Sequence, residues 1–181
     1  MQPINVLLRV AIALITPATD TDAVALHRFA PEEVTVDRAR VHVWAARVAA
    51  ATYGVDADMV LAISYHESHF AENATTPESG GRVSCGAMTP YPTRTCGQKS
   101  LLDQYLDGAR HWAVDWRHAG DVHGEHEALL GYAGGYALIR KCRRGPVLRH
   151  QTSGDDLCRT PEVFGWIRAR IRAARQLVAA S

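Results

Sequence analysis

Apolar positions recur at three- and four-residue spacing along most of the chain, the mark of amphipathic helices. Val36, Val43 and Ala50, with Trp44, Val48 and Ala51 beside them, predict a helix over Val34 to Thr52 behind the acidic turn Pro31-Glu32-Glu33. Tyr53-Gly54 stops it, with glycine as the C-terminal cap, and Asp56 caps the next helix. In that second helix, Val60, Ile63, Glu67 and Phe70 share one face at 100° per residue, with Met59 at its edge. From Ala71 to Ser100 the residues turn to Asn, Thr, Pro, Ser and Gly, which predicts a long loop. Helical spacing returns over Leu101 to His118, where Tyr105, Trp112 and Trp116 read mainly as core, and again from His126 into Tyr132. There Gly134-Gly135 allow a close approach or an unusual dihedral. A last helix starts at Thr160-Pro161-Glu162 and runs over Val163 to Ala179, with Trp166, Ile167, Ile171 and Leu177 expected inward. No internal repeat or low-complexity tract interrupts this order.

At 181 residues the chain suits a single core. Lys plus Arg number 20 against 19 acids, so no overall field calls for nucleic acid or an acidic membrane. The C-terminal third is locally basic, with Arg140, Lys141, Arg143 and Arg144, then Arg168, Arg170, Arg172 and Arg175. That stretch suits either an acidic polymer or a solvated face paired with Asp155 and Asp156. The first 25 residues have two readings. Arg9, the apolar run Val10 to Ile15 and Ala23-Val24-Ala25 have the form of a secretory signal, although Asn5 and Arg9 interrupt the run and a long acidic spacer follows it. A disordered or helical N-terminal extension, with the main domain over 26–181, fits as well. The run is too short to span a bilayer.

Cys85, Cys96, Cys142 and Cys158 form two sequence-near pairs without a Cys-x-x-Cys. Cys85-Cys96 and Cys142-Cys158 is the preferred of three connectivities. Each bridge would close a loop of about 12 to 17 residues and contribute about 3 kcal/mol in the chain-entropy picture. Such usage points to an oxidising compartment, hence a secreted, periplasmic or wall-associated protein. Four buried thiols in a reducing compartment is the alternative.

Glu67 is the chemically pointed residue. Burial disfavours an ionised carboxylate, and a Glu so placed can hold a proton near neutrality and donate it as a general acid. A Glu at the edge of the stripe, reaching solvent or an arginine, is the plain alternative. Two-carboxylate glycosidases need a partner across the scissile bond, and only Glu72 and Glu78, both in the loop, offer one.

Ile63-Ser-Tyr-His-Glu67-Ser68-His-Phe70 resembles the Glu-Ser signature of the soluble-type, lysozyme-like lytic transglycosylases. Ser84-Cys-Gly86-Ala87-Met88-Thr89 is similar to that family's Gly-Leu-Met-Gln loop, and Gly131-Tyr132-Ala133-Gly134-Gly135 to its Ala-Tyr-Asn-x-Gly segment. The likeness covers about residues 37 to 175. It implies a mainly α, lysozyme-like (α+β) single domain with irregular disulfide-closed loops around one substrate cleft. It also implies a monomer acting on peptidoglycan glycan strands without metal or cofactor. By the same likeness Glu67 would be the lone acid and base, cleaving between N-acetylmuramic acid and N-acetylglucosamine and closing a 1,6-anhydro ring. Ser68 would orient the Glu or the substrate, Gly86 and Met88 would line the cleft, and Tyr132 would hydrogen-bond near the acid. Thr89 stands where the family has Gln and Ala133 where it has Asn, so two polar contacts to substrate are in question.

Two rivals remain. A non-catalytic peptidoglycan-binding module on the same scaffold would tolerate Thr89 and Ala133. A metal site would use His66 with His69 or His123 with His126, each pair at i, i+3, although Phe70 stands where His-Glu-x-x-His requires its second histidine.

Overall fold

The computed structural model describes residues 3–78, 81–89, 96–115, 124–143 and 156–181. Trp116, His118, His123, Arg144 and Asp155 lie outside the described residues, as do 90–95 and 144–155 within the two cysteine loops. So do the side chains of Glu78, Gly134 and Gly135.

The fold is mostly helical with one small sheet. In chain order come α1 (Pro3–Ile15), α2 (Asp20–Phe29), α3 (Val36–Tyr53), α4 (Ala57–Ser68), β1 (Thr75–Glu78), β2 (Arg82–Cys85) and α5 (Leu101–Asp115). Then follow α6 (Glu125–Arg143), a 3-10 turn (Leu157–Arg159) and α7 (Thr160–Ala179). α3 is the central rod and packs on α1, α2, α4 and α5. α7 closes the other side, against α2, α4 and α6. α3 can be central because its inward face is almost all small: Ala39, Ala45, Ala46, Ala49 and Ala50 are buried with Val43, so four helices approach it closely.

The predicted stops hold. Thr35 caps α3 from the Arg38 N–H, and Gly54 ends it in the left-handed region at φ 72°. Asp56 caps α4 by accepting from the Asp58 N–H. Four expectations need correction. Part of the stretch read as loop is an antiparallel hairpin, with Thr75 paired to Cys85 and Glu78 to Arg82. The α6 helix runs through Gly134-Gly135 to Arg143, because Leu138 and Ile139 bury beyond the glycines and outweigh their cost of about 1 kcal/mol each. On α7 the inward residues are Phe164, Ile167, Ile171 and Ala174, while Trp166 and Leu177 are exposed, 56% and 61%. Trp166 lies about 200° round the helix from Phe164, so both cannot face the core. It stacks instead beneath the Arg170 guanidinium, 4.8 Å from its ring centre.

The fourth correction concerns the N-terminus. A boundary at Ala25 falls inside α2, whose Ala23, Ala25 and Leu26 are buried and which packs on both α3 and α7. Both disulfides form as expected, Cys85–Cys96 and Cys142–Cys158, and no free cysteine remains. Among the described residues no helix is long and apolar enough to cross a membrane. The bridges are compatible with an extracellular or periplasmic setting.

Candidate functional site

The site is built at the C-terminal end of α4. Met59, Val60 and Ile63 anchor the helix in the core, and its last turn carries Glu67 to the boundary, with 22% of the side chain exposed. The chain then turns sharply. His69 caps the helix in the left-handed region at φ 52°, its N–H donating to the Tyr65 carbonyl at 2.8 Å, and Phe70 follows at φ 65°. Neither is glycine, so packing must hold both: His69 stacks on Tyr65, ring centres 4.7 Å apart, and Phe70 is buried against His42.

This kink brings residues 86 to 89 against the acid. The Ser68 hydroxyl donates to the Ala87 carbonyl at 2.8 Å and lies 3.0 Å from the Ser64 carbonyl. The Ala87 N–H donates to Gln104 Oε1 at 2.7 Å. Gly86, at φ 87°, is required twice over, since a Cβ there would sit 2.6 Å from the same Gln104 oxygen. Thr89 is the third non-glycine residue at positive φ, 38°, and its hydroxyl donates to Glu67 Oε2 at 2.6 Å. All three such residues among those described therefore flank Glu67, and backbone strain of this kind concentrates at working sites.

From α6 the Tyr132 hydroxyl donates to the Met88 carbonyl at 2.6 Å. The three stretches singled out in the sequence thus meet: Thr89 reaches Glu67 across 22 residues and Tyr132 reaches Met88 across 44. Met88 takes part through its carbonyl, because its side chain is fully buried against Gly108, where a Cβ would lie 2.5 Å from it. Gly86 is buried in the same ribbon and Ala133 is exposed on α6. His66 Nδ1 is 3.4 Å from Glu67 Oε1, and its ring packs edge-on to Phe164.

Beneath the site runs a buried polar chain that the sequence reading missed. Tyr105 on α5 donates to Ser64 on α4 at 2.9 Å, and His42 on α3 lies 2.9 Å from the same phenol through Nδ1. Since Tyr105 has given its one proton to Ser64, His42 Nδ1 must carry the hydrogen. Burial, with Arg38 nearby, pulls the His42 imidazole down to about 4, so it stays neutral near pH 7. Burial likewise pushes the Tyr105 phenol up, the Ser64 bond opposing it. The signal was present as polar residues on apolar faces, Ser64 one turn before Ser68 and His42 beside Val43.

The basic C-terminal third is occupied elsewhere than expected. Arg168 binds Glu125, Arg172 reaches Asp56 and Asp58, and Arg175 reaches Asp58 and Asp22. Asp156 instead caps the 3-10 turn through the Cys158 N–H. Glu72 pairs with Arg38, and His69 comes only within 4.0 Å of Glu33. Among the described residues no three His, Cys, Asp or Glu side chains gather as a metal site would need. A cavity of about 770 Å³ walled by Gly86, Gln98 and Arg110 among others does not include Glu67. What the site presents chemically is one mostly sheltered carboxylate, with the Thr89 hydroxyl on one oxygen and His66 Nδ1 3.4 Å from the other. No family model, no curated protein and no solved structure matches this chain.

Proposed function

We propose that the chain is a lysozyme-like peptidoglycan lytic transglycosylase in which Glu67 serves first as acid and then as base. The observation that carries this reading is the Thr89 hydroxyl on Glu67 Oε2, at the point where the stretches around residues 67, 88 and 132 converge. Stretches so far apart in the chain have no local reason to meet, and they meet at the one carboxylate the resemblance nominates. Thr89, which departs from the family's Gln, here keeps a polar contact to the acid itself. In the cleavage step Glu67 gives its proton to the glycosidic oxygen, the bond from that oxygen to muramyl C1 breaks, and N-acetylglucosamine leaves with a free hydroxyl. The 2-acetamido group shields the developing positive charge at C1. The Glu67 carboxylate then takes the proton of the muramyl 6-hydroxyl as that oxygen bonds to C1, so no water is consumed. Ser68 and Tyr132 act by fixing the ribbon that carries Thr89.

A wall-binding module without catalysis is the second reading, favoured by a cavity of about 770 Å³ whose wall does not include Glu67. Purified sacculi separate the two. Release of muropeptides lighter than the hydrolysed product by one water, lost in Glu67→Gln with the fold and wall binding intact, supports the enzyme. Binding without release, or equal release by the variant, sinks it.

A further inference from the structure

Of the nine large apolar side chains exposed among the described residues, five stand on α1: Leu7, Leu8, Ile12, Leu14 and Ile15. At 100° per residue, Leu14, Leu7, Ala11, Ile15, Leu8 and Ile12 follow one another round an arc of about 160°, all exposed and none polar. The half-buried residues, Val10 and Ala13, lie on the opposite side, which is therefore the side turned to α3, the only element that α1 packs on among those described. A helix at a protein surface ordinarily turns its larger apolar side chains inward. In α1 the order is inverted: the smaller ones face the fold, while Leu7 and Ile15 are 72% and 79% exposed. Apolar patches of this kind mark contacts with a partner or a membrane.

Shape and charge choose the cover. A partner helix would meet a narrow seam of residues at a and d spacing, whereas this arc is far wider, and α1 stands on α3 as a convex ridge. A fluid surface takes in such a ridge, but a second folded chain would need a matching groove. Arg9 is exposed on the flank, about 60° past Ile12, and the sequence holds no acid before Asp20, which pairs with Arg40. A cation bordering an apolar arc suits headgroup phosphates, which its long stem reaches while the arc sits among acyl chains. From Leu7 to Ile15 the arc runs about 12 Å, too short to cross a bilayer, so α1 would lie along one.

We propose that α1 docks the chain on a bilayer carrying anionic headgroups, with Leu7, Leu8, Ile12 and Ile15 among the acyl chains and Arg9 against the phosphates. The inference is independent of the reading of Glu67.

Flotation of the full chain with vesicles tests it, using phosphatidylcholine alone and phosphatidylcholine mixed with phosphatidylglycerol, beside the light-scattering mass in free solution. Wild type should float with the mixed vesicles and several-fold less with phosphatidylcholine alone. Leu8→Asp/Ile15→Asp changes two outward side chains and should keep the wild-type circular dichroism. It should float at least about tenfold less, having lost two large apolar groups from the arc. Should that pair disturb the fold, Leu8→Gln/Ile15→Gln is read in its place, with the same expected loss. Arg9→Gln should lose about fivefold on the mixed vesicles and little on phosphatidylcholine. Leu177→Asp, a comparably exposed apolar position on α7, should float as wild type. No flotation of wild type, unchanged flotation of the Leu8/Ile15 or Arg9 variants, or an equal loss in Leu177→Asp overturns the proposal. So does a wild-type dimer that Leu8→Asp/Ile15→Asp splits into monomers, since a second copy would then be what covers the arc.

Discussion

The two ends of α4 are held by opposite kinds of chemistry. At its N-terminal end Asp56 and Asp58 are gripped by Arg168, Arg172 and Arg175 of α7, and Asp22 of α2 joins through Arg175 and Arg47. At its C-terminal end, about 18 Å along the axis, the bonds run from hydroxyl to carbonyl and from hydroxyl to the one carboxylate. A guanidinium favours the ionised form of any carboxylate beside it, which suits a fastener and would oppose a proton donor. The helix thus keeps its arginines where position must be fixed, while Glu67 meets the Thr89 hydroxyl on one oxygen and has His66 Nδ1 3.4 Å from the other. Changes at the first end should therefore show in stability, and changes at the second in turnover.

The largest effect is expected from Asp58→Ala. Burial raises the Asp58 carboxyl, but hydrogen bonds from Arg175 and Arg172, with their charges, outweigh it and hold it below its ordinary 3.8. Removing it takes one of two carboxylate partners from the part-buried Arg175 and from the exposed Arg172, which should cost up to about 3 kcal/mol in urea unfolding. Activity of the folded protein should stay at the wild-type level. A loss under about 1 kcal/mol would place the network among solvated surface pairs.

Acid should break the two ends in sequence. His42 is lowered in the folded state from 6.5 to about 4, so its neutral form is the one that folds. Its contribution is complete above pH 6.5 and drains away as pH falls towards 4, roughly 3 kcal/mol in full. Asp22 and Asp58 are carboxyls lowered in the folded state. For Asp22, burial is again overcome by the Thr19 hydrogen bond and by Arg47 and Arg175. Their contribution is present above about 3.8 and is lost only below it. Urea midpoints between pH 7 and 3 should fall in two stages, the first absent in His42→Asn, which keeps a donor near the Nδ1 position but does not titrate. A single stage in wild type would show that the polar chain beneath the site does not act as a separate load.

The helices and their caps were legible because they obey local rules: Gly54 can take a left-handed dihedral and Asp56 can cap. The single α4 stripe was not, since residues 58 to 64 are all buried and Phe70 lies past the helix end at φ 65°. The hairpin was not, since Thr75-Thr76-Pro77-Glu78 has no alternation and pairs only because β2 returns beside it. Trp166 was misplaced because a tryptophan in a helix suggests core, whereas the Phe164 and Ile167 stripe decides the matter. At the site the resemblance nominated the stretches around Glu67, Met88 and Tyr132, and the structure links them through Thr89 on Glu67 and Tyr132 on the Met88 carbonyl. The contact from Thr89 could not, because it depends on a left-handed dihedral that no β-branched residue advertises. The His42, Tyr105 and Ser64 chain depends on three helices at once, and no segment read alone contains it.

That Thr89 dihedral gives the smallest and sharpest expected effect. Two properties are combined at the position, a backbone at φ 38° that disfavours the side chain and a hydroxyl that orients Glu67. Thr89→Gly separates them: it relaxes the backbone and removes the donor. Stability should hold or rise slightly, while the rate of muropeptide release falls about tenfold through loss of the hydrogen bond that orients Glu67. Thr89→Ser keeps the donor and should retain most of the rate. Were Gly and Ser to turn over equally, the hydroxyl would be only a filler of the ribbon, and the C-terminal end of α4 would hold Glu67 by packing through Ser68 and Ala87 rather than through Thr89.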